Sequence, residues 1–256
     1  MTEQTTRLDL GDDTIADLDA DAQGSFIAIT TSNIVHADDR CLPIAIDLRF
    51  PLIRKLDEDR FIVVDQRTKD VPNGHIYSFT GEKLRLFLIG DGVEDILVHN
   101  SRIVATYFDE GVVGSDGPNN EGLAVFDFEG QLEFGFNTSA APEMIVDCYC
   151  ACRHETNRVL FYAYSELKLY ELNLDNMKVK AFETPRDFAG AGAVSGKGNT
   201  IILHSSYEDK ESFFEWNRVS DEVRIIGSYP HRVRGIGDGK FLAFDDTGFT
   251  FIDPTE

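Results

Sequence analysis

The stretch Arg60-Phe-Ile-Val-Val64 opens a short apolar run, and the chain repeats this pattern six times. The six repeats are Ser25-Phe-Ile-Ala-Ile29, Arg60-Phe-Ile-Val-Val64, Arg102-Ile-Val-Ala-Thr106, Arg158-Val-Leu-Phe-Tyr162, Thr200-Ile-Ile-Leu-His204 and Lys240-Phe-Leu-Ala-Phe244. Each begins directly after a turn-forming pair such as Asn100-Ser101 or Asp238-Gly239. The steps between their starts are 35, 42, 56, 42 and 40 residues, a mean of 43. A period of this length, filled with short strands, predicts a repeated sheet unit.

These repeats predict an all-β fold in one domain, a six-bladed β-propeller. The approximate blade ranges are 11–50, 51–90, 91–138, 139–184, 185–230 and 231–256. The sixth blade has no room for a fourth strand, because only 16 residues follow Lys240. A strand at residues 5–10 has no hairpin partner of its own, so we expect it to complete the last blade and remove an open sheet edge.

Composition limits the partners that this chain can have. Lys and Arg number 24 against 45 Asp and Glu, which gives a formal charge of −21. Such a charge repels nucleic acid and anionic membranes and attracts cations or a basic protein partner. The first ten residues lack the apolar segment of a signal peptide, so we expect a cytoplasmic protein whose four cysteines are reduced thiols.

A ring of polar residues is predicted at one mouth of the central channel. The innermost strand of each blade lines this channel, and one register position of those strands converges on it. That position reads Asp17, Arg54, Asp95, Asp147, Gly190 and Gly235. A second acidic layer on the same face includes Asp109 and Glu110, next to the longest insertion, residues 111–121.

Two interpretations of this ring remain open. Asp17, Asp95 and Asp147 are the oxygen ligands that calcium or another hard divalent cation needs, and Arg54 could bind a carboxylate or phosphate of a ligand. Alternatively, Arg54 neutralises Asp17 and Asp95 and forms a polar plug. The sequence predicts a ligand site only in the first case.

Four motifs resemble a group of bacterial propeller proteins in the WD40/YVTN-like superfamily, for which no activity is established. They are Asp91-Gly-Val-Glu-Asp-Ile96, Tyr107-Phe-Asp-Glu-Gly-Val112, Gly122-Leu123 and Asp147-Cys-Tyr149. The resemblance covers blades three and four, about the middle third of the chain. It implies the propeller fold and marks these motifs, without implying a reaction.

No familiar catalytic set is present in the sequence. The six histidines show no metal-ligand spacing, and no serine lies in a nucleophile-elbow motif. Our leading hypothesis is therefore a non-catalytic propeller that binds a protein partner or small ligand at its acidic channel mouth. One alternative is a metal-dependent hydrolase resembling six-bladed sugar lactonases, with Asp17, Asp95 and Asp147 holding the ion. Another is an acidic antagonist of a basic toxin.

Overall fold

The computed structural model describes residues 1–21, 23–68, 71–114, 116–139 and 143–256. Six four-stranded antiparallel sheets form the predicted six-bladed propeller, which is confirmed. Blades one and two contain β2 (Ile15–Ala20), β3 (Phe26–Thr30), β4 (Ile34–Ala37), β5 (Arg40–Pro43), β6 (Pro51–Lys55), β7 (Arg60–Asp65), β8 (Gly74–Ser78) and β9 (Lys83–Phe87). Blades three and four contain β10 (Val93–His99), β11 (Arg102–Tyr107), β12 (Leu123–Phe126), β13 (Leu132–Gly135), β14 (Asp147–His154), β15 (Arg158–Tyr164), β16 (Lys168–Asn173) and β17 (Lys178–Phe182).

Blades five and six complete the ring. They contain β18 (Ala193–Lys197), β19 (Thr200–His204), β20 (Ser212–Asn217), β21 (Glu222–Ser228), β22 (Arg234–Gly237), β23 (Lys240–Asp245), β24 (Gly248–Asp253) and β1 (Thr2–Arg7). β1 pairs antiparallel with β24, from Thr2 opposite Asp253 to Arg7 opposite Gly248. The N-terminal strand therefore supplies the fourth strand of blade six.

This closing strand lies three residues earlier than the predicted range 5–10. Leu8 and Leu10 follow β1 and pack against a buried cluster that includes Ile15, Leu18 and Phe249. Because Leu8 and Leu10 alternate with the polar Asp9, the sequence pattern is that of a strand. In the structure the two leucines instead pack between blades six and one.

The hydrophobic core lies between neighbouring blades, where strands of 4–8 residues bury both faces of each sheet. Phe136 of the loop after β13 contacts Phe161 and Tyr170 of blade four edge-on, with ring centroids 5.5 and 5.2 Å apart. Such aromatic contacts stabilise the packing of one blade on the next.

The described part of the predicted insertion 111–121 packs beside the loop before β10, where a Cβ at Gly92 would lie 2.4 Å from the Gly111 Cα. The insertion contains the end of a short helix, α1 (Asp109–Val112), and a 3₁₀ helix (Pro118–Glu121), and its residue 115 lies outside the described part. Within the described residues, no helix has the length and apolar character to span a membrane.

Candidate functional site

Two arginines and two aspartates close the channel beneath its mouth. Arg54 is fully buried and donates from Nη1 to Asp17 Oδ2 at 2.5 Å, from Nε to the Ile96 carbonyl at 2.7 Å, and from Nη2 to Asp95 Oδ1. Arg234 donates from Nη2 to Asp17 Oδ1 at 2.9 Å, and its Nε lies 3.2 Å from Asp95 Oδ2. Each carboxylate thus lies between two guanidinium groups. We call Asp17, Arg54, Asp95 and Arg234 the polar plug.

The charges of the plug compensate one another. Burial by itself disfavours ionisation of Asp17, but Arg54 and Arg234 outweigh this effect and hold the pKa of Asp17 below its usual value. Arg54 has its pKa raised for the same reason, because Asp17 and Asp95 overcome its burial. The plug is therefore a neutral, hydrogen-bonded floor, which corresponds to the self-neutralised interpretation of the sequence.

The predicted ring forms only in part. The structure brings Asp17, Arg54 and Asp95 together, but Arg234 completes the group in place of Gly235, and Asp147 is not among their partners. A Cβ at Gly235 would lie 1.7 Å from the Val194 carbonyl oxygen, so that position serves close packing of two innermost strands.

β-Bulges interrupt the innermost strands of blades one, three, four and six. The pairing shifts between Ile15 and Asp17, between Val93 and Asp95, between Cys148 and Cys150, and between Gly235 and Gly237. Because each bulge adds one residue to a strand, it changes which side chains face the channel. The innermost strand of blade two pairs without such a shift.

The carboxylates proposed as metal ligands do not gather around one point. Asp17 and Asp95 are paired with arginines, and Asp147 lies higher in the mouth. Within the ranges that the structure describes, no group of three or more His, Cys, Asp or Glu side chains is arranged to hold a metal ion.

Asp109 and Glu110 occupy different surroundings at the start of α1. Glu110 accepts a hydrogen bond from Arg67 Nη1 at 2.8 Å and is thereby held on the rim. Asp109 lies close enough to Asp147 to raise the pKa of Asp147. Of these two residues, only Asp109 therefore adds to the negative charge around Asp147.

Above the plug is an open cleft whose deeper part is lined by residues of all six blades and whose outer part lies between blades three, four, five and six. A cavity of about 270 Å³ rests on the plug and continues into one of about 580 Å³, and Glu94, Tyr149, Gly192, Arg232 and Val233 line both. We call the two together the mouth cleft. Their combined size is that of a small-molecule site.

Asp147 is an unpaired carboxylate in the wall of this cleft. It is half-buried at the start of β14, and the described residues offer it no hydrogen bond or ion pair. Burial, followed by repulsion from Asp109 and Glu94, raises the pKa of Asp147 to about 6. The ionised form of Asp147 is therefore disfavoured by the residues around it.

Aromatic side chains also line this cleft. The hydroxyls of Tyr149 and Tyr207 are hydrogen-bonded to each other, and Phe108 also lines the cleft. Gly190 makes room for the Tyr207 ring, since a Cβ there would lie 2.2 Å from ring atoms and its φ is +75°. Gly190, which the predicted ring placed at the channel mouth, thus makes space for an aromatic ring.

Glu94 and Arg232 form an ion pair at the rim of the cleft. Glu94 Oε1 accepts from Arg232 Nη2 at 2.7 Å, and the Arg232 side chain is 85% exposed. Burial raises the pKa of Glu94 although Arg232 opposes this. Glu94, Arg232 and Arg234 were not among the site residues predicted from the sequence. They lie at or just before the starts of innermost strands, the same places at which Asp17 and Asp95 were predicted.

We expect replacement of Asp147 by Asn to stabilise the protein at high pH. Because its pKa is raised, the carboxyl group favours the folded state only while protonated, and its stability cost develops as pH rises from the unfolded value toward about 6. With allowance for solvent screening, the gain at pH 8 should be about 1–2 kcal/mol, with little change at pH 4. Urea unfolding of both proteins at the two pH values measures this, and an equal gain at both would contradict it.

Fold and site together define a six-bladed β-propeller with a plugged channel and an open mouth cleft. No family model matches the chain, and no curated protein matches its sequence. The chain is similar in structure to virginiamycin B lyase from Staphylococcus aureus, with 11% identity, a TM-score of 0.53 and coverage of 98% of this chain and 99% of that one.

Two other solved structures show the same likeness. One is the β-propeller domain of Cps50 (Swd1) from Myceliophteria thermophila, at 10% identity and a TM-score of 0.60 over 93% of this chain and 83% of that one. The other is the extracellular domain of BT4673 from B. thetaiotaomicron, at 11% identity and a TM-score of 0.60 over 100% of this chain and 34% of that one. At these identities the likeness shows the fold alone, and the resemblance over blades three and four stays a prediction.

Proposed function

We propose that the protein is a non-catalytic cytoplasmic propeller that binds a positively charged group in its mouth cleft. The group is an ammonium or guanidinium, carried by a small ligand or by a side chain of a basic partner protein. The observation that carries this proposal is Asp147, an unpaired carboxylate that lines a cleft of about 580 Å³ together with aromatic side chains.

The chemistry of the walls favours a cation. A bound ammonium would pair with Asp147 and relieve its repulsion with Glu94 and Asp109. The ring of Tyr149 would add cation–π attraction, whereas Tyr207 already has Lys210 Nζ over its ring, 5.5 Å from the ring centroid. The formal charge of −21 would speed the approach of a basic partner.

Binding is better supported than catalysis. The polar plug gives the cleft a closed floor, so a ligand would rest on it. His204, in the cleft wall, has its Nε2 3.0 Å from the Tyr229 carbonyl, and burial lowers its pKa. Cys150 is a buried thiol whose pKa burial raises well above its usual value. Neither is held as part of a nucleophile–base pair.

The cytoplasmic location is supported by the cysteines. Cys41, Cys148, Cys150 and Cys152 are all free thiols. A reducing compartment keeps thiols in this state.

Benzylamine is the first probe, and benzyl alcohol is its neutral counterpart. We expect benzylamine to bind saturably in calorimetry and benzyl alcohol not to bind. Since the amine stays protonated while Asp147 ionises near pH 6, affinity should be about tenfold higher at pH 7.5 than at pH 5. Asp147→Asn should abolish this pH dependence, and Asp12→Asn, at an exposed loop position, should preserve it.

Other outcomes would redirect the proposal. Equal binding of benzyl alcohol, or unchanged binding by Asp147→Asn, would show that the carboxylate does not recognise a cation. An oligo-arginine peptide that binds with salt-sensitive affinity and competes with benzylamine would identify a basic partner as the source of the group. A rise in melting temperature with calcium that Asp147→Asn removes would favour the metal-dependent hydrolase instead.

A further inference from the structure

A second cavity, of about 520 Å³, lies between the outer strands of blades four and five, toward the end of the ring away from the mouth. Its wall is formed by side chains of both blades. They are Arg158, Glu171, Lys180, Phe182, Trp216 and Arg218. We call this cavity the blade four–five groove.

Three cationic side chains converge on one carboxylate in this groove. Glu171 is 5% exposed, and its oxygens lie 3.2 Å from Arg158 Nη1, 3.5 Å from Arg218 Nη1 and 4.0 Å from Lys180 Nζ. Glu155 also pairs with Arg158, at 3.3 Å. Glu183 also lines the groove, so three carboxylates accompany three cations in a chain whose formal charge is −21.

The hydrogen-bonding capacity of these cations is largely unused. None of the three contacts with Glu171 is a hydrogen bond among the described residues. Arg158 Nε and Arg218 Nε are buried and have no hydrogen-bond partner within the same part of the chain. Buried polar atoms nearly always have partners, so unsatisfied guanidinium groups at a cavity indicate a missing acceptor.

Arg218 is already held in position. Its guanidinium stacks over the Phe182 ring at 4.7 Å, and its Nη2 donates to the Gly198 carbonyl at 3.0 Å. The side chain is only 11% exposed. A guanidinium fixed in this way loses little conformational entropy when it binds a ligand.

From these contacts we propose that the blade four–five groove binds a small oxyanion, a phosphate group of a ligand, through Arg158, Lys180 and Arg218. Planar guanidinium groups and an ammonium are the donors that recognise tetrahedral oxyanions. Glu171 holds the three cations together and also lowers the affinity of the groove by its own charge. This site is independent of the mouth cleft.

Trp216 provides a direct test, since it is the only tryptophan and lies in the groove wall. Pyrophosphate, titrated at constant ionic strength with chloride as the balancing ion, should change its fluorescence saturably. Lys180→Gln, at an exposed position, should weaken binding about tenfold. Arg224→Gln removes the same charge from an exposed ion pair with Glu215 outside the groove and should leave binding unchanged.

Glu171→Gln separates a binding site from a purely structural ion-pair network. If the groove binds an oxyanion, removal of the competing carboxylate should tighten pyrophosphate binding about tenfold, whatever happens to stability. The absence of a saturable response in both the native protein and Glu171→Gln would overturn the proposal. So would a response that Lys180→Gln leaves unchanged.

Discussion

Removal of residues 1–10 is expected to unfold the protein or convert it to oligomers. β1 contributes six residues of pairing to β24, and without it β24 becomes an open edge of blade six. At roughly 0.5–1.5 kcal/mol for each of about six lost backbone hydrogen bonds, the cost is about 3–9 kcal/mol, a large part of the stability of a typical domain. Size-exclusion chromatography and thermal unfolding of the truncated protein measure both effects.

A synthetic peptide of residues 1–10 serves as the control. If strand pairing closes the ring, this peptide should restore the monomer and its melting temperature when added to the truncated protein, and a scrambled peptide should not. A truncated protein that stays monomeric with an unchanged melting temperature would contradict the role of β1.

Replacement of Arg54 by Met is expected to destabilise the protein by about 3–5 kcal/mol, because it leaves two buried carboxylates with incomplete compensation. Arg54 is fully buried in the polar plug, and Met keeps most of its apolar volume. Arg85→Met, which breaks an ion pair with Glu129 whose side chains are 53% and 54% exposed, should cost at most about 1 kcal/mol. Urea unfolding of both variants gives the comparison.

The pH dependence should distinguish lost charge compensation from lost packing. In the native protein the pKa of Asp17 is lowered, so its contribution is present above the unfolded value and is lost as pH falls through the folded value. Without Arg54, the effect of burial on the pKa of Asp17 is less opposed, and burial favours the protonated carboxyl group. The deficit of Arg54→Met should therefore be smaller at pH 5 than at pH 8.

Adding Asp17→Asn and Asp95→Asn to Arg54→Met should recover part of the lost stability, since the three groups are coupled. A deficit that is independent of pH and that the added substitutions do not reduce would show that Arg54 acts through packing.

The sequence identified part of the polar plug and part of the mouth cleft. Asp17, Arg54 and Asp95 were found because they occupy one position of successive innermost strands. Arg234 was missed in favour of Gly235, one residue later, because the inward direction of a side chain depends on local pairing. Asp147 was predicted to share one ring with Asp17 and Asp95. In the structure it lines the mouth cleft and is not one of the side chains paired in the polar plug.

By itself, the sequence determined the blade repeat and the closure of the ring by an N-terminal strand. Both depend on local properties, namely short apolar runs, the turns before them and the number of residues left for the last blade. Tertiary structure alone decided the channel register and the blade four–five groove. The register depends on how each innermost strand pairs and packs in the ring, and the groove assembles Arg158, Glu171, Lys180 and Arg218 from two blades. No local pattern encodes that assembly, because the contacts form only when sheets distant in sequence pack together.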